Sequence, residues 1–370
     1  MLRSARPRLD AGILNLPVEK MRAGYYSDTY FNRARDILAA DGHHPYVRMQ
    51  VFQRSAAVLC GIDEALAILR LCAGRQAPDG AWIEGWKNLR VHALHDGDSI
   101  APYETILTIE GDYAAFAHLE TCYLGVLSRR TRIATNARAI VEAANGKAVL
   151  FFPARFDHHL VQTGDGYAAY ISGALGVSTD ANAEWWGSRG MGTVPHALIA
   201  AYDGDTVLAT QKFAQYIDPT VNVISLVDFD NDCVGTSVRV ARALGDRLWG
   251  VRLDTSGTLV DASIVPMMGT FTPTGVNLQL VRNVRAGLDG AGFRSVRIVV
   301  SGGFDARKIH QFEVDAAPVD AYAVGSAFFD DAGSYDFTAD IVAVRGDDRW
   351  IECHKVGRPE RPNPRLEPVE

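Results

Sequence analysis

The second half of the chain alternates short apolar segments with segments of helical character. Two of the apolar segments, 248–253 (LWGVRL) and 321–324 (AYAV), are apolar at nearly every position. Strands of this kind are typical of a parallel sheet that is covered by helices on both faces. The pattern predicts an α/β fold, with an incomplete or irregular (β/α) barrel over residues 148–335 in preference to an open sheet. Strands are predicted at 148–152, 206–209, 223–229, 248–253, 296–303 and 321–326, and helices at Asn277–Leu288 and Ala306–Phe312.

The preceding residues predict an N-terminal α+β domain over 1–120 and a helical connection over 121–147. A chain of 370 residues exceeds the usual size of one domain, which agrees with this division. The connection is expected to stop near Asn145-Gly146, a pair that readily ends a helix. The segment 336–370 is strand-like and then proline-rich, and is predicted to return to the N-terminal domain. Further predicted elements are helices at Tyr30–Leu38 and Asp63–Cys72, and strands at Val91–Leu94, Ile106–Ile109, Asp340–Val344 and Arg349–Cys353.

Composition restricts the class of protein. A net charge of −7 gives no basic footprint for nucleic acid. The five cysteines have no C-x-x-C spacing, which argues against a structural zinc site or a disulfide framework and favours a reducing compartment. The basic N-terminus (1–7) is not followed by an apolar stretch, and no run approaches the roughly 18 apolar residues of a membrane span. A cytoplasmic protein is expected. Neither a Rossmann glycine fingerprint nor a Walker A loop is present.

Polar residues and glycines follow the predicted strands. In a barrel the carboxyl ends of the strands carry the site, and the loops after the last strands commonly bind phosphate. Arg252 and Asp254 alternate with one residue between them, so their side chains point the same way. Glycines allow backbone N–H groups to approach a phosphate, although simple turn chemistry also uses them. A site for a phosphorylated sugar is therefore predicted from Arg252, Asp254, Ser301, Gly302, Gly303, Gly325 and Ser326.

The motif Gly192-Thr-Val-Pro-His196 makes His196 a candidate phosphoryl acceptor. A phosphorylatable imidazole needs one nitrogen free and the other held by an oriented partner. Asp228 and Asp230 are candidates for that partner because their side chains have the same parity along one strand end. A buried or helix-capping histidine is the alternative.

In their order and spacing these motifs resemble those of the nicotinate phosphoribosyltransferase family, one of the type II phosphoribosyltransferases, from about residue 24 to 358. The resemblance implies that Tyr30, within Ser27-Asp28-Thr29-Tyr30, stacks on a pyridine ring from the neighbouring subunit of a homodimer with shared active sites. Asp28 belongs to the same signature. From the residues alone, this segment is a helix start capped by Ser27 or Asp28, with its aromatic side chains in the core.

The same resemblance assigns Phe152 to the second face of the pyridine ring and Arg155 to its surroundings. Pro153 stands where relatives carry glycine, and Phe156 stands where a second arginine is usual. Nicotinate-using relatives carry a small hydroxyl residue beside the ring substituent, and nicotinamide-using relatives carry an aspartate. One register places Ser178 there, and a shift of two places Asp180 there.

The implied activity is phosphoribosyl transfer from phosphoribosyl pyrophosphate to nicotinate, giving nicotinate mononucleotide for NAD biosynthesis or salvage. By resemblance, ATP phosphorylates His196, Arg252 contacts the phosphate end or the base, and Asp254 contacts the ribose hydroxyls. Mg²⁺ is expected to neutralise the pyrophosphate while leaning on substrate oxygens, so no dedicated protein metal cage is predicted. Pro195 departs from the family motif. Nicotinamide or quinolinate as substrate, or a non-catalytic barrel that binds phosphoribosyl ligands, are the alternatives.

Overall fold

A computed structural model describes residues 7–269, 271–333, 335–347 and 349–370, so most of the basic N-terminus (1–6) lies outside the described residues. The helices are α1 (Val18–Arg22), α2 (Thr29–Asp41), α3 (Ile62–Cys72), α4 (Glu120–Ala143), α5 (Gln162–Ile171), α6 (Asp180–Ala183), α7 (His196–Ala201), α8 (Thr206–Tyr216), α9 (Cys233–Leu244), α10 (Leu278–Gly290) and α11 (Ala306–Val314). The strands are β1 (Tyr46–Gln53), β2 (Ala57–Val58), β3 (Gly74–Gln76), β4 (Trp82–Glu84), β5 (Arg90–Ala93), β6 (Ser99–Ile100), β7 (Leu107–Asp112), β8 (Ala148–Phe151), β9 (Gly176–Val177), β10 (Val223–Leu226), β11 (Leu248–Leu253), β12 (Arg297–Val300), β13 (Ala321–Val324), β14 (Phe337–Arg345), β15 (Trp350–Glu352) and β16 (Glu367–Pro368).

The chain forms two compact units, one of residues 1–135 with 331–370 and one of residues 136–330. The boundaries differ from the predicted positions 120, 147 and 335 because α4 runs without a break through residue 135. That helix stops just before Asn145 and Gly146, which have φ of 48° and 86° and so cannot continue it.

The first unit is built on an antiparallel sheet of order β15-β14-β1-β7-β5-β16. The C-terminal residues supply β14, which pairs with β1, and β16, which pairs with β5. Helix α3 is buried on nearly every side and belongs to the main core of this unit. The helix α2 differs, since it has no buried residue. The expectation from the residues alone that the aromatic side chains of this segment lie in the core is therefore wrong for Tyr30, which is 61% exposed.

The second unit carries the predicted α/β architecture. Its sheet has the order β10-β11-β12-β13-β8-β9 with parallel pairing throughout. The strands are largely apolar because helices cover them, and β10 and β13 are buried at every position. The prediction of an incomplete barrel is confirmed. The predicted strand at 206–209 is wrong, because Asp205 caps a helix there by accepting a hydrogen bond from the Leu208 N–H at 2.9 Å.

A short non-helical segment bridges the two outer strands of the incomplete barrel. We call Met191–Val194 the closing segment. The Met191 N–H donates to the Val177 carbonyl of β9 at 2.7 Å, and the Val194 N–H donates to the Ile224 carbonyl of β10 at 3.0 Å. The closing segment thus joins the two outer strands of the sheet.

In the part of the chain that the structure describes, no helix combines the length and the apolar character needed to cross a membrane.

Candidate active site

The carboxyl ends of the parallel strands surround a cavity of about 550 Å³. The loops that follow β8, β11, β12 and β13 line it, as expected for a barrel whose site lies at this end of the sheet. All seven residues predicted for the phosphoribosyl site belong to its lining. The predicted residues that line the cavity are Phe152, Arg155, Ser178, His196, Arg252, Asp254, Ser301, Gly302, Gly303, Gly325 and Ser326.

The cavity contains a network of hydrogen-bonded polar side chains around Arg252. Its Nε donates to Ser301 Oγ at 2.8 Å and its Nη2 donates to Asp254 Oδ2 at 3.0 Å. Ser301 in turn donates to Asp254 Oδ1 at 2.7 Å. Because β11 and β12 are parallel neighbours in register, the ends of both strands bring these three side chains together. The network fixes the arginine in a partly buried position where it faces the cavity.

A Gly302-Gly303 turn follows Ser301 and borders the same cavity. Both glycines have a positive φ, 81° and 73°, a conformation that residues with a side chain rarely adopt. A Cβ at Gly302 would lie 3.4 Å from Asp254 Oδ1, whereas a Cβ at Gly303 would meet no atom within 4 Å. The turn therefore leaves room for a ligand to reach the backbone next to the arginine network.

His196 is the first residue of α7 and lies at the cavity edge. Its Nε2 lies 3.2 Å from both carboxylate oxygens of Asp228, which follows β10. Burial raises the pKa of Asp228, and the neighbouring His196 acts in the opposite direction. Pro195 precedes the helix with φ −88° and ψ 154°, and its carbonyl accepts from the Leu198 N–H. This departure from the family motif thus occupies a helix start, where a missing N–H costs nothing.

Asp230 does not share the contact with His196. Its carboxylate accepts from Thr236 Oγ1 at 3.0 Å and from Arg239 Nη2 at 2.8 Å, at the start of α9. The predicted parity fails because β10 ends at Leu226, so residues 228–231 form a turn in which side chains no longer alternate. Only Asp228 of the two predicted partners orients the imidazole.

The two residues predicted for the ring substituent, Ser178 and Asp180, lie in different surroundings. Ser178 lines the cavity, and its Oγ is buried with no hydrogen-bond partner among the described residues. Asp180 is exposed, begins α6, and accepts the Gly190 N–H at 2.8 Å outside the cavity lining. Of these two residues it is therefore Ser178 that lines the cavity. A buried hydroxyl without a partner has unused hydrogen-bonding capacity.

Phe152 and Arg155 also line the cavity. The Arg252 Cζ lies 5.8 Å from the centroid of the Phe152 ring, and the Arg155 Cζ lies 5.4 Å from the centroid of Phe156. Phe156 itself lines the cavity and packs close to Gly325, where an added Cβ would come within 2.8 Å of the ring. The residue at the usual second-arginine position thus contributes an apolar wall.

Asp28 and Tyr30 belong to the first unit. Asp28 precedes α2, but its carboxylate accepts from Thr121 Oγ1 at 2.9 Å and does not cap its own helix. Tyr30 packs on Phe31 with 4.3 Å between ring centroids and remains largely exposed.

Thr193 was not predicted as a site residue. Its Oγ1 accepts from Arg252 Nη1 at 3.1 Å, which adds a third anchor to the arginine. It lies in the closing segment and borders a second cavity of about 770 Å³, lined from the other end of the strands by residues such as Trp249 and Arg297. Phe152 lies between the two cavities and lines both. The only signal for Thr193 in the sequence was its place in the motif that ends at His196.

Comparison with known proteins agrees with this architecture. A family model for the quinolinate phosphoribosyl transferase N-terminal domain matches residues 28–131. The chain is 31% identical over 244 residues to a nicotinate phosphoribosyltransferase of Mycobacterium tuberculosis, covering 65% of this chain and 50% of that protein. It is 25% identical over 279 residues to the nicotinate phosphoribosyltransferase of Bacillus subtilis, covering 73% of this chain and 52% of that protein. The chain therefore spans about half the length of these curated relatives.

The structure of a nicotinate-nucleotide pyrophosphorylase from Pyrococcus furiosus matches along almost the whole chain. It is 33% identical with a TM-score of 0.77, and the match covers 96% of this chain and 85% of that one. An antiparallel first unit and a parallel incomplete barrel with a cavity at its strand ends define one class of protein. The chain belongs to the type II phosphoribosyltransferase family.

Proposed function

We propose that this protein is a nicotinate phosphoribosyltransferase. It would transfer the phosphoribosyl group of phosphoribosyl pyrophosphate to nicotinate, releasing nicotinate mononucleotide and pyrophosphate, in NAD biosynthesis or salvage. The observation that carries the proposal is the convergence of the Arg252–Asp254–Ser301 network and the unpartnered Ser178 hydroxyl on one cavity. The names of the relatives from M. tuberculosis and B. subtilis support the same activity.

The donor half of the reaction is assigned to the loops after β11, β12 and β13. Arg252 suits oxyanions because its guanidinium presents a fork of N–H groups. Asp254 supplies the acceptor atoms that ribose hydroxyls need. The Gly302-Gly303 turn and Gly325-Ser326 allow phosphate oxygens to approach backbone N–H groups.

The acceptor half is assigned to the side of the cavity bearing Phe152. A flat pyridine stacks on an aromatic ring, and Phe152 supplies one face. The Ser178 hydroxyl can donate to a carboxylate, and Arg155 adds a cation to the cavity lining. A carboxylate side chain at this point would repel nicotinate, and Asp180 lies elsewhere. Nicotinate is therefore favoured over nicotinamide.

The chemistry is a displacement at the anomeric carbon. The lone pair of the pyridine nitrogen forms the new N–C bond while the bond from that carbon to the pyrophosphate oxygen breaks, and the electron pair leaves with pyrophosphate. No proton is transferred, so the protein acts by positioning and electrostatics. Asp254 places a negative charge near the carbon that develops positive character, and Arg252 balances that carboxylate before substrate binds.

Mg²⁺ suits this cavity, because the ion binds through one or two carboxylates together with substrate phosphates and retains several waters. Among the described residues no group of three or more His, Cys, Asp or Glu side chains forms a cage, and Asp254 is the carboxylate that would hold the ion beside the donor. When bound, magnesium would neutralise the charge of pyrophosphate.

ATP coupling is assigned to His196. The contact with Asp228 holds Nε2 and leaves Nδ1 for the γ-phosphoryl group of ATP. The N–P bond forms as ADP leaves, and water later releases phosphate from the histidine. We include in the proposal a homodimer in which Tyr30 of one subunit covers the ring bound by the other, which is supported by its exposure on a helix with no buried residue.

Quinolinate is the second candidate, favoured by the family-model match over residues 28–131. That substrate carries two carboxylates and needs more positive charge. Among the described lining residues the arginines are Arg155 and Arg252, and Arg252 is already paired with Asp254. The cavity therefore favours the substrate with one carboxylate.

The test is to incubate the protein with phosphoribosyl pyrophosphate, Mg²⁺ and each of nicotinate, nicotinamide and quinolinate, with and without ATP. Chromatography of the products should show nicotinate mononucleotide as the main product, with a higher yield in the presence of ATP. Carbon dioxide release with quinolinate would instead identify the decarboxylating reaction. Failure to form a mononucleotide from any of the three pyridines would overturn the enzyme proposal.

A further inference from the structure

The guanidinium of Arg252 is held by three different elements. Ser301 follows β12, Asp254 follows β11, and Thr193 belongs to the closing segment. A guanidinium has five N–H donors, so three such bonds leave two for a ligand. The three hydrogen bonds together set the direction of the two remaining N–H groups.

Thr193 is the anchor that comes from outside the sheet. It does not line the 550 Å³ cavity, so its hydroxyl reaches that cavity only through Arg252. The hydroxyl also lies 3.4 Å from the Val194 carbonyl, to which it can donate while accepting from the arginine.

The position of Thr193 is itself fixed on both sides. The closing segment is hydrogen-bonded to β9 through Met191 and to β10 through Val194. Val194 is fully buried in an apolar cluster with Ile199 and Leu226. A hydroxyl carried by a segment tied at both ends is a rigid anchor, and a rigid anchor costs little ordering entropy when substrate binds.

We propose that Thr193 is a positioning residue for the phosphoribosyl donor, holding Arg252 in the orientation that the donor requires. The proposal rests on the proposed function, since it takes Arg252 as a contact of the donor. Without the Thr193 hydroxyl, the guanidinium keeps only its hydrogen bonds to Asp254 and Ser301. It can then change its orientation relative to the cavity.

The first measurement is calorimetric binding of phosphoribosyl pyrophosphate with Mg²⁺, without a pyridine. Thr193→Val keeps the branched shape and removes the hydroxyl, so donor affinity should fall by about tenfold, the loss expected for one hydrogen bond to a charged group. Thr193→Ser restores the hydroxyl and should return affinity to within about twofold of the original.

Thr210→Val is the matched control for lost stability. Thr210 lies in α8, and its buried hydroxyl bonds Ser225 Oγ at 2.8 Å outside both cavities. It should lower Tm without changing donor affinity. If Thr193→Val bound the donor as tightly as the unaltered protein, or if Thr210→Val weakened binding equally, the positioning role would be wrong.

A second measurement does not depend on the donor. NMR relaxation of the arginine Nε–H groups, with Arg252→Lys used to assign the signal, reports the order of the guanidinium. Thr193→Val should raise the mobility of the Arg252 signal and Thr193→Ser should not. Unaltered protein that bound no donor would overturn the proposed function, whereas an unchanged Arg252 signal in Thr193→Val would overturn the positioning role.

Discussion

The imidazole of His196 and the carboxylate of Asp228 lie 3.2 Å apart although 32 residues separate them in the chain. The histidine side chain is 46% exposed and the aspartate side chain is 7% exposed. A buried acid thus holds an accessible imidazole by one nitrogen, Nε2.

This relationship predicts where and how His196 is phosphorylated. Incubation with ATP should give an acid-labile phosphohistidine with the phosphoryl group on Nδ1, which NMR or isomer-specific antibodies distinguish. Asp228→Asn should lower its formation by about 100-fold, because the ring loses its orienting charge. Asp230→Asn is the matched control, since Asp230 bonds Thr236 and Arg239 instead, and it should phosphorylate normally. If ATP still stimulated the transferase activity of His196→Ala in full, a phosphohistidine at this position would be excluded.

Ser178 should decide which pyridine is accepted. In Ser178→Asp a carboxylate would face the carboxylate of nicotinate, so the preference for nicotinate over nicotinamide should fall by about 100-fold or more. The ratio of kcat/KM for the two pyridines is the measurement. Asp180→Asn, two residues away but bonded to Gly190, should leave the ratio unchanged. An equal change in both variants would contradict the assignment of Ser178.

A substitution at Gly303 should affect both the stability of the protein and the KM for the donor, through two different causes. Gly303→Ala places a Cβ in open space at a φ of 73°, so unfolding should become easier by about 1 kcal/mol. The same Cβ restricts the approach of phosphate to the turn, and KM for the donor should rise by about tenfold. Gly42→Ala has a similar φ of 65° and no neighbour within 4 Å, but lies at the end of α2. It should share the loss of stability and keep the KM.

Glu120 makes the stability of the first unit depend on pH. Burial, with Asp340 and Asp28 nearby, raises the pKa of this carboxyl from 4.5 to about 8. Between these two pH values the folded state holds a proton that the unfolded state has released. The contribution of Glu120 to the free energy of unfolding is therefore fully present below pH 4.5 and is lost as the pH rises through about 8. Glu120→Gln, which stays neutral, should be more stable than the unaltered protein at pH 9 by roughly 2–4 kcal/mol.

The measurement for Glu120 is Tm between pH 5 and pH 9. The difference between Glu120→Gln and the unaltered protein should grow with pH. Glu84→Gln, at an exposed position on β4, should follow the unaltered protein at every pH. A constant difference across the range would show that Glu120 does not titrate there.

Much of the barrel could be predicted because its strands are apolar at consecutive positions. The strand predicted at 248–253 is β11 with the same ends, and the α10 and α11 predictions differ from the structure by two residues or fewer at each end. The strand prediction at 206–209 is wrong because four residues, three of them apolar, do not distinguish a strand from a helix turn. There the cap at Asp205 decides the outcome.

The site residues could be predicted where the sheet alone determines the direction of their side chains. Arg252 and Asp254 share a face because β11 runs through Leu253, whereas Asp228 and Asp230 do not, because β10 stops before them. The role of Thr193 and the choice between Ser178 and Asp180 depend on contacts between distant segments. No local pattern in the sequence contains those contacts.

The closing segment also bears on solubility. A barrel that stops short of closure leaves two strand edges with unpaired N–H and C=O groups, which in other proteins recruit strands from neighbouring molecules. Here one carbonyl of β9 and one of β10 accept a hydrogen bond from the closing segment, which therefore lies along both edges. A change that detached Met191–Val194 would expose both edges at once, so self-association in concentrated solution should appear before any loss of the remaining sheet.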